Sequence, residues 1–328
     1  MDTFKAIVVK ENHDQVIYGL EDVNLDSLSD GEVLVKVAYS SINYKDMLAV
    51  QKNGGVIRNY PMIPGIDLSG TIVHTTDNRY TEGQKVIVTG FTMGMSHTGG
   101  FAEYARVSGD WIVPLPVNLS LKDAMVFGTA GFTAALSIIA LEEKGMDLNK
   151  NPRILVTGST GGVGSIALQI LSKIGYKNIT ALVRKEHQKE VAKSLGATDV
   201  IFVNELGEQN KPLNKQNYDF VLDTVGGDIA SVLISQISYG GSMSMCGNAG
   251  GIKLTSTVLP FILRGINLLG IDSVNVPIKD RDYIWEKIAN EWNISQTTLI
   301  NEISLEELPH TIEAIKNGQH LGRTIIKY

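Results

Sequence analysis

The pattern of apolar and polar positions divides the chain into a part rich in short strands and a part in which strands alternate with helices. Up to about residue 125, stretches rich in valine and isoleucine are separated by Gly, Asp and Asn, namely KAIVVK, EVLVKVAYS, LSGTIVH, QKVIVTG and AEYARVS. This pattern predicts an antiparallel β domain. A helix is expected near NYKDMLAV, where Asp46 would favour the first turn.

From about residue 129 the period of the pattern changes. RILVTG predicts a strand that is buried on both faces, and GSIALQILSKIG predicts an amphipathic helix. Similar strands and one further helix follow in NITALVR, EHQKEVAKSLGA, DVIFV, FVLDTVG and GGSMSMCG. Buried strands with helical crossovers are typical of a doubly wound parallel sheet. The predicted fold class is therefore α/β, with a β-rich domain and a doubly wound domain.

The last part of the chain, from about residue 274, mixes helical stretches with a final strand. IWEKIANEW and LPHTIEAIKNG have helical spacing, and RTIIKY is typical of a strand. The segment PIKDRD, at 277–282, is interpreted as a surface loop.

Composition narrows the classes of function. A length of 328 residues favours two domains, and 43% hydrophobic with 20% charged residues describes an ordinary soluble globular protein. The net charge of -6 argues against nucleic acid or an anionic membrane as a partner. The single cysteine, Cys246, excludes an internal disulfide and a zinc site built on several thiolates. No signal peptide and no apolar run of about 18 residues is recognised, so a cytoplasmic protein without a membrane partner is expected.

The stretch ILVTGSTGGVGSIALQIL carries the strongest functional motif. A strand is expected to end at Thr157, and a helix is expected from about Val163, with Gly158, Gly161 and Gly164 between or beside them. Glycines allow backbone N–H groups to approach a pyrophosphate, and a helix N-terminus favours its negative charge. The spacing is G-x-x-G-x-x-G rather than G-x-G-x-x-G. The motif predicts dinucleotide binding, and a simple tight turn is the alternative.

The next strand predicts which dinucleotide is bound. NAD-binding domains usually have an Asp or Glu about 20 residues beyond the loop, where it holds the ribose hydroxyls. Here the strand ends in LVRKE, so that Arg184 and Lys185 stand in place of the acid. A guanidinium matches a 2′-phosphate in charge and geometry. NADP is therefore predicted, with a solvated basic turn as the alternative.

The stretch PMIPGIDLSG places one carboxylate, Asp67, among apolar residues. A buried ionised carboxylate needs a charged or hydrogen-bonding partner. Three roles for Asp67 are open: it orients neighbouring groups, it donates a proton if burial raises its pKa, or it satisfies turn amides. Asn43 is also open to interpretation as a turn residue, and Tyr44 as a packed aromatic side chain whose hydroxyl reaches solvent.

The order of these parts resembles that of the medium-chain dehydrogenase/reductase superfamily over essentially the whole chain. In its zinc alcohol dehydrogenase branch, the metal is held by a cysteine shortly before an Asp and by the histidine of a Gly-His-Glu stretch. The similar stretches here are SINYKD and PGIDLSG, with Asn43, Ile66 and Asp67 at the positions of the cysteine, histidine and glutamate. Because isoleucine cannot bind zinc, a catalytic zinc is not expected.

A set of motifs resembles one zinc-free branch in particular, the acryloyl-CoA reductase group, whose members are often labelled quinone oxidoreductases. The motifs are INYKD, PMIPGIDLSG, GTAGFTAA, TGSTGGVGS, YGGSMSMCGNAGG, PFILRG and LGIDSV. The resemblance implies a GroES-like catalytic domain made of residues 1–125 and 274–328, and a Rossmann NADP-binding domain at 126–273. It also implies a homodimer, formed through edge strands of the dinucleotide-binding sheet.

The activity implied by the resemblance is NADPH-dependent reduction of the activated C=C bond of a small α,β-unsaturated carbonyl, with acryloyl-CoA-like thioesters first. An NADPH:quinone oxidoreductase is the alternative enzyme. A non-catalytic NADPH-binding sensor or structural protein is the alternative from another class.

The resemblance further implies site residues. Asn43 and Asp67 correspond to the polar pair beside the nicotinamide, and Tyr44 to a tyrosine that contacts the cofactor. These three residues are the predicted catalytic group. The other predicted cofactor contacts are Gly158, Thr160, Gly161, Gly162, Val163, Gly164, Arg184, Asn248, Ile262, Ser273 and Asn317. No metal ligand is predicted.

Overall fold

The structure of the chain is a computed structural model that describes residues 3–13, 15–207, 211–294 and 299–328. The chain forms two compact units. The first unit comprises Met1–Thr129, Val274–Asn290 and Thr298–Tyr328, and the second comprises Ala130–Ser273 and Glu291–Thr297.

The first unit is built on two β-sheets. A two-stranded antiparallel sheet pairs β1 (Phe4–Asn12) with β2 (Gln15–Val23). The larger sheet contains β3 (Val33–Ser41), β4 (Asp67–Thr75), β5 (Lys85–Thr89), β6 (Tyr104–Val107), β7 (Ile112–Pro114), β14 (Ile300–Ile303) and β15 (Arg323–Lys327). Its strand order is β14-β15-β3-β4-β5-β7, and β6 also pairs with β3. All its pairings are antiparallel except that of β14 with β15.

Strand β3 shows why these stretches form a half-buried sheet. Val33, Val35 and Val37 are buried and alternate with more exposed residues. Successive side chains of a strand point to opposite faces, so one apolar face is directed into the core. Within the first unit, these valines pack with apolar side chains of β4, β5, β6 and β7.

Four helices begin in the first unit. They are α1 (Tyr44–Ala49), α2 (Leu121–Glu143), α7 (Ile278–Ala289) and α8 (Leu308–Lys316). The prediction of a surface loop at 277–282 is wrong, because α7 starts at Ile278. Arg281 on this helix is fully buried, and its guanidinium donates to the backbone carbonyls of Thr89 at 2.9 Å, Val274 at 2.8 Å and Val276 at 3.0 Å. The charged residues of this segment are typical of an exposed loop. Arg281 is nevertheless buried, because carbonyl oxygens accept hydrogen bonds from its guanidinium.

Helix α2 was not recognised as a long apolar segment. It is the one helix in the described ranges that is long and apolar enough to cross a membrane, but 83% of its most apolar window is buried inside the protein. The expectation that no apolar run reaches about 18 residues was therefore wrong. Residues 124–141 contain no charge, and the glycine, threonine and serine residues among them conceal the length of the segment.

The second unit contains the predicted parallel sheet. Its six strands have the order β10-β9-β8-β11-β12-β13, and every pair is parallel. They are β8 (Arg153–Val156), β9 (Asn178–Val183), β10 (Asp199–Phe202), β11 (Tyr218–Asp223), β12 (Ile237–Met245) and β13 (Asn267–Gly270). The helices α3 (Gly162–Ile174), α4 (Gln188–Ser194), α5 (Gly227–Ile234) and α6 (Leu259–Arg264) belong to the same unit.

The strand order reverses between β8 and β11. From β8 the chain proceeds to β9 and β10 on one side, whereas β11, β12 and β13 continue on the other. Loops at the carboxyl ends of strands diverge at such a switch point and leave a crevice in which ligands bind. The glycine-rich loop after β8 and the DTVGG turn at the end of β11 lie at this position.

Candidate functional site

Asp67 begins β4 and is completely buried. Its Oδ2 accepts hydrogen bonds from the Asn43 amide at 2.8 Å, the Ser41 hydroxyl at 2.5 Å and the Thr129 N–H at 2.9 Å. Its Oδ1 accepts a hydrogen bond from the Thr129 hydroxyl. Four donors of this kind stabilise an ionised carboxylate inside a protein. The structure thus brings Asn43 and Asp67 into direct contact.

The carboxylate fixes the orientation of the Asn43 side chain. An ionised carboxylate only accepts hydrogen bonds, so the group of Asn43 that faces Asp67 is the NH₂. The same nitrogen is 3.5 Å from the carbonyl oxygen of Ser41, a distance at which a hydrogen bond is weak. Asn43 is half-buried. One N–H of its amide is therefore held by Asp67, and the other is only weakly engaged.

Asp46 joins the two segments that carry this pair. It lies in the first turn of α1 and is fully buried. Its Oδ2 accepts the backbone N–H of Asn43 at 2.8 Å, and its Oδ1 accepts the backbone N–H of Ile66 at 3.1 Å. One carboxylate thus holds the residue before α1 and the residue before β4. The sequence predicted that Asp46 favours the first turn of α1. The structure shows that it also accepts the Ile66 N–H.

Arg323 completes the cluster, and the sequence analysis missed it. It is the first residue of β15, and its buried guanidinium donates to the carbonyl oxygens of Ile42 and Val126, both at 3.0 Å, and to the Ser41 hydroxyl at 2.8 Å. Burial lowers the pKa of Arg323, and the negative charge of Asp67 opposes that shift. The available signal was an arginine at the start of an otherwise apolar strand, RTIIKY.

Gly128 allows the chain to bring Thr129 to this cluster. Within α2 it has φ 51° and ψ -157°, so the helix bends there and a new turn starts. A Cβ at residue 128 would lie 2.4 Å from Ser41 Oγ, 2.5 Å from Asp67 Oδ2 and 2.9 Å from Arg323 Nη2. A side chain at this position would displace the cluster. The first position of the GTAG motif is therefore restricted to glycine for steric reasons.

Tyr44, the third predicted catalytic residue, is next to the cluster in sequence. It is the first residue of α1, and 42% of it is exposed. This exposure fits both a cofactor contact and a packed aromatic side chain whose hydroxyl reaches solvent, so the role of Tyr44 stays a prediction. The first unit therefore presents a half-buried amide and an exposed phenol on consecutive residues, supported by buried Asp46, Asp67 and Arg323.

In the second unit, the predicted glycine loop connects β8 to α3. Helix α3 begins at Gly162, and Gly161 precedes it without a side-chain cap. The first N–H groups of a helix have no carbonyl partner within it. In this helix they belong to Gly162, Val163 and Gly164, and they point to the carboxyl edge of the sheet.

The loop backbone has the shape that a diphosphate group requires. Gly158 has φ 54°, and a Cβ there would lie 2.3 Å from Thr224 Oγ1. A Cβ at Gly164 would lie 2.4 Å from the carbonyl oxygen of Gly158, and the N–H of Gly161 closes the turn on the same oxygen at 2.9 Å. Only glycine fits at 158 and 164. A compact turn followed by an uncapped helix N-terminus suits a dinucleotide phosphate.

The end of β9 lies beside this loop. Arg184 follows the strand directly and its side chain is exposed. The buried Ser159 hydroxyl donates to the carbonyl oxygen of Leu182 at 3.0 Å, so the glycine loop is attached to β9 just before Arg184. A basic side chain and a phosphate-shaped loop therefore share one edge of the sheet.

Comparison with known proteins identifies the family. Residues 29–117 match the family model described as "Alcohol dehydrogenase GroES-like domain", and residues 162–290 match "Zinc-binding dehydrogenase". The chain is 45% identical to "Putative quinone oxidoreductase YhfP" of Bacillus subtilis strain 168, over 99% of this chain and 98% of the relative. It is 43% identical to "Probable acrylyl-CoA reductase AcuI" of Escherichia coli K12, over 98% and 99%.

The chain belongs to the medium-chain dehydrogenase/reductase family. Members of this family are oxidoreductases, and the predicted GroES-like and Rossmann domains of this dehydrogenase/reductase are confirmed. A crystal structure of E. coli K-12 YHDH with bound NADPH is 43% identical, with a TM-score of 0.95 over 98% of this chain and 99% of that one. The structure of B. subtilis yhfP with bound NAD is 44% identical, with a TM-score of 0.96 over 100% of both.

The second matching family model is described as zinc-binding, and the side chains of this dehydrogenase/reductase at the positions that resemble the zinc site, Asn43 and Ile66, are not zinc ligands. In the part of the chain that the structure describes, no group of three or more His, Cys, Asp or Glu residues could hold a metal ion. Ile66 is buried and apolar, and Asn43 donates its amide to Asp67 rather than presenting a ligand. Arg323 brings a positive charge into the same cluster. The residues present therefore do not fit a catalytic zinc.

The remaining predicted contacts lie in three loops and on one helix. In the second unit, Asn248 is exposed in the loop after β12, Ile262 on α6 is 69% exposed, and Ser273 follows β13 and is half-buried. In the first unit, Asn317 ends α8 and is exposed. The role of these four residues as cofactor contacts stays a prediction.

We expect the stability of this dehydrogenase/reductase to depend on the ionisation of Asp46. Burial, together with the charge of Asp67, raises the pKa of Asp46 to about 7. Between about pH 4 and 7 the unfolded state ionises while the folded state keeps this proton, so the free energy of unfolding falls as pH rises. One pKa unit corresponds to about 1.4 kcal/mol, which makes this contribution at most roughly 4 kcal/mol.

Asp46→Asn, which does not titrate, isolates this contribution. Urea unfolding of both proteins at intervals from pH 4.5 to 7.5 is expected to show the wild type losing stability relative to the variant as pH rises. Two curves that remain parallel over this range would contradict the assignment.

Proposed function

We propose that the protein is an NADPH-dependent reductase of the activated C=C bond of a small α,β-unsaturated carbonyl compound, with acryloyl-CoA-like thioesters first. The observation that carries this proposal is the Asn43 amide, held by buried Asp67 at 2.8 Å where a zinc enzyme would hold its metal. The activity names of the 41–45% identical relatives support it.

Reduction of such a compound places negative charge on the carbonyl oxygen. When bound, NADPH supplies the hydride that adds to the β-carbon. The weakly engaged N–H of Asn43 and the exposed hydroxyl of Tyr44 are the donors that we assign to the carbonyl oxygen. Donors that are already oriented stabilise the developing charge without reorganisation. The proton for the α-carbon comes from water in this proposal.

We assign Asp67 to orientation rather than to proton donation. Its two oxygens already accept hydrogen bonds from four donors of the protein, so the carboxylate is fully engaged in holding its neighbours. Arg323 donates to the Ser41 hydroxyl, which in turn donates to the carboxylate of Asp67. Asp67 is thus a positioning residue for Asn43.

The second unit provides the nucleotide site in this proposal. The backbone N–H groups of Gly162, Val163 and Gly164, with Gly158 and Gly161 shaping the turn, would hold the diphosphate. The Thr160 hydroxyl would add a side-chain donor. Arg184 would pair with the 2′-phosphate. Asn248, Ile262, Ser273 and Asn317 remain proposed contacts with the rest of the cofactor.

The NADPH:quinone oxidoreductase is the second candidate, favoured by the name of the B. subtilis relative. Steady-state rates of NADPH oxidation with acryloyl-CoA and with 1,4-benzoquinone separate the two. We expect a higher kcat/KM for acryloyl-CoA, and no loss of activity after incubation with a chelator. A higher kcat/KM for 1,4-benzoquinone would instead favour the quinone oxidoreductase.

A cofactor-binding protein without catalysis is the alternative from another class. It would bind NADPH and turn over neither substrate. Retention of Asn43, Tyr44 and Asp67 in one supported arrangement argues against it. If NADPH changed neither the intrinsic fluorescence nor the melting temperature, every form of this proposal would fail.

We also propose a homodimer formed through the edge of the second unit's sheet. Strand β13 pairs only with β12 in the described chain, and exposed apolar residues lie on the loop and helix before it, namely Ile252, Val258, Ile262 and Leu263. Sedimentation equilibrium would test the dimer, and Leu263→Glu should shift it to monomer. A cytoplasmic location, without nucleic-acid or membrane partners, remains a prediction from composition.

A further inference from the structure

The side chain of Gln188 connects the end of β9 with the glycine loop. It is the first residue of α4, and only 8% of it is exposed. Its Oε1 accepts the backbone N–H groups of Arg184 at 2.9 Å and Lys185 at 3.0 Å. Its Nε2 donates to the Thr160 hydroxyl at 2.9 Å. One buried carboxamide therefore contacts both segments that the proposed function assigns to the phosphates.

These contacts determine which way the carboxamide points. Two backbone N–H groups need an acceptor, so the oxygen of Gln188 faces Arg184 and Lys185. The NH₂ then faces Thr160, and the Thr160 oxygen accepts from it. The Thr160 hydroxyl is therefore left to donate its own hydrogen bond to another acceptor. A phosphate oxygen is an acceptor of this kind.

The turn between β9 and α4 is closed around the same side chain. The N–H of Gln188 donates to the carbonyl oxygen of Lys185 at 3.0 Å, so residues 185–188 form a tight turn. Arg184, just before this turn, has an exposed side chain, and its backbone is held by Gln188. The Cα position of Arg184 relative to Thr160 thus depends on the Gln188 side chain.

We propose that Gln188 is a positioning residue for cofactor selectivity, which places Arg184 at a set distance from Thr160 in the glycine loop. This inference rests on the proposed NADP function and deepens it. Gln188 does not touch the 2′-phosphate itself. It acts through Arg184, so its loss should weaken recognition of the 2′-phosphate more than recognition of the rest of the nucleotide.

The test uses fragments that isolate the 2′-phosphate. Calorimetric titration with 2′,5′-ADP and with 5′-AMP gives a preference ratio for the wild type and for Gln188→Leu. We expect Gln188→Leu to weaken 2′,5′-ADP binding about tenfold, equivalent to about 1.4 kcal/mol, and 5′-AMP binding less than about threefold. With substrate, KM for NADPH should rise while kcat at saturating NADPH stays close to the wild-type value.

A double-mutant cycle shows whether Gln188 acts through Arg184. In an Arg184→Leu background, Gln188→Leu should have little further effect on the preference ratio, because the group that it positions is gone. An undiminished effect in that background would overturn the inference. Gln236→Leu is the matched control, since Gln236 is also buried and hydrogen-bonded in the second unit but lies just before β12, at the opposite end of the sheet. It should leave the ratio unchanged.

The outcomes distinguish the inference from the function on which it rests. If the wild type binds 2′,5′-ADP no better than 5′-AMP, the NADP assignment fails and the inference fails with it. If the wild type prefers 2′,5′-ADP and folded Gln188→Leu keeps the same ratio, only the inference is overturned. Should Gln188→Leu not fold, amide hydrogen exchange of the wild type decides: the Arg184 and Lys185 amides must be protected without nucleotide, and fast exchange overturns the inference.

Discussion

Asp67→Asn is expected to lower the free energy of unfolding by about 3–5 kcal/mol, the usual range for removing one partner of a buried charged cluster. The asparagine has one acceptor oxygen for the four donors that Asp67 now satisfies, and its NH₂ would face other donors. Arg323 would also lose the negative charge of Asp67, which opposes the effect of burial on its guanidinium. Urea unfolding at pH 7.5 measures this loss.

The same variant should affect turnover through Asn43. The Asn43 amide then loses the carboxylate that orients it, and misplacement of the donor that we propose by about 1 Å can cost about 100-fold in rate. We therefore expect a drop of about that size in kcat for the unsaturated substrate, measured with folded variant at saturating NADPH, and a small change in the KM for NADPH.

Asp110→Asn provides the control for both measurements. Asp110 lies in the same unit, and its side chain, which is 76% exposed, pairs with Arg79 at 2.7 Å. Ion pairs at the surface contribute little to stability. The control should therefore leave activity unchanged and affect unfolding far less. Equal losses for both variants would contradict a special role for the Asp67 cluster.

Arg184→Glu is expected to weaken NADPH binding about 100-fold, or about 2.7 kcal/mol, and NADH binding less than about threefold. The change removes a charge-assisted partner of the 2′-phosphate and introduces repulsion. Because Arg184 is exposed and follows β9 at the strand end, the substitution should leave folding intact. Fluorescence titration with each cofactor gives the two dissociation constants.

Lys193→Glu is the matched charge reversal on α4, where Lys193 pairs with Glu190 at the surface. It changes the net charge by the same amount without lying at the strand end, and salt screens such distant charges. An equal loss of NADPH and NADH affinity in Arg184→Glu, or a comparable loss in Lys193→Glu, would remove the basis for NADP selectivity. The NAD-bound structure of the B. subtilis relative makes this comparison informative.

Local patterns were sufficient for most of the architecture. The alternation in β3 and the continuous apolar runs of β8 and β11 predicted a half-buried sheet and a sheet buried on both faces, because side-chain period follows from strand geometry. The loop from Gly158 to Gly164 was recognised because its glycines are required by the backbone itself. These features depend on residues that are close in sequence.

Local patterns failed where burial depends on distant partners. Arg281 lies in a segment that looks like a charged loop, and it is buried because the carbonyl oxygen of Thr89, 192 residues away, accepts its hydrogen bond together with the nearby carbonyl oxygens of Val274 and Val276. Arg323 similarly reaches Ser41, more than 280 residues earlier in the chain. Periodicity does not indicate which carbonyl group or hydroxyl a guanidinium will meet.

The sequence by itself determined the two-part α/β organisation, the phosphate loop and the absence of a zinc-ligand set at Asn43 and Ile66, since each follows from residue type and spacing. Only the tertiary structure decided which groups Asp67 contacts. The apolar run around it left three roles open, and the convergence of β3, α1, the bend at Gly128 and β15 supplies the donors that favour one of them. The reason is physical: the ionisation and orientation of a buried carboxylate depend on donors that folding brings together from separate parts of the chain.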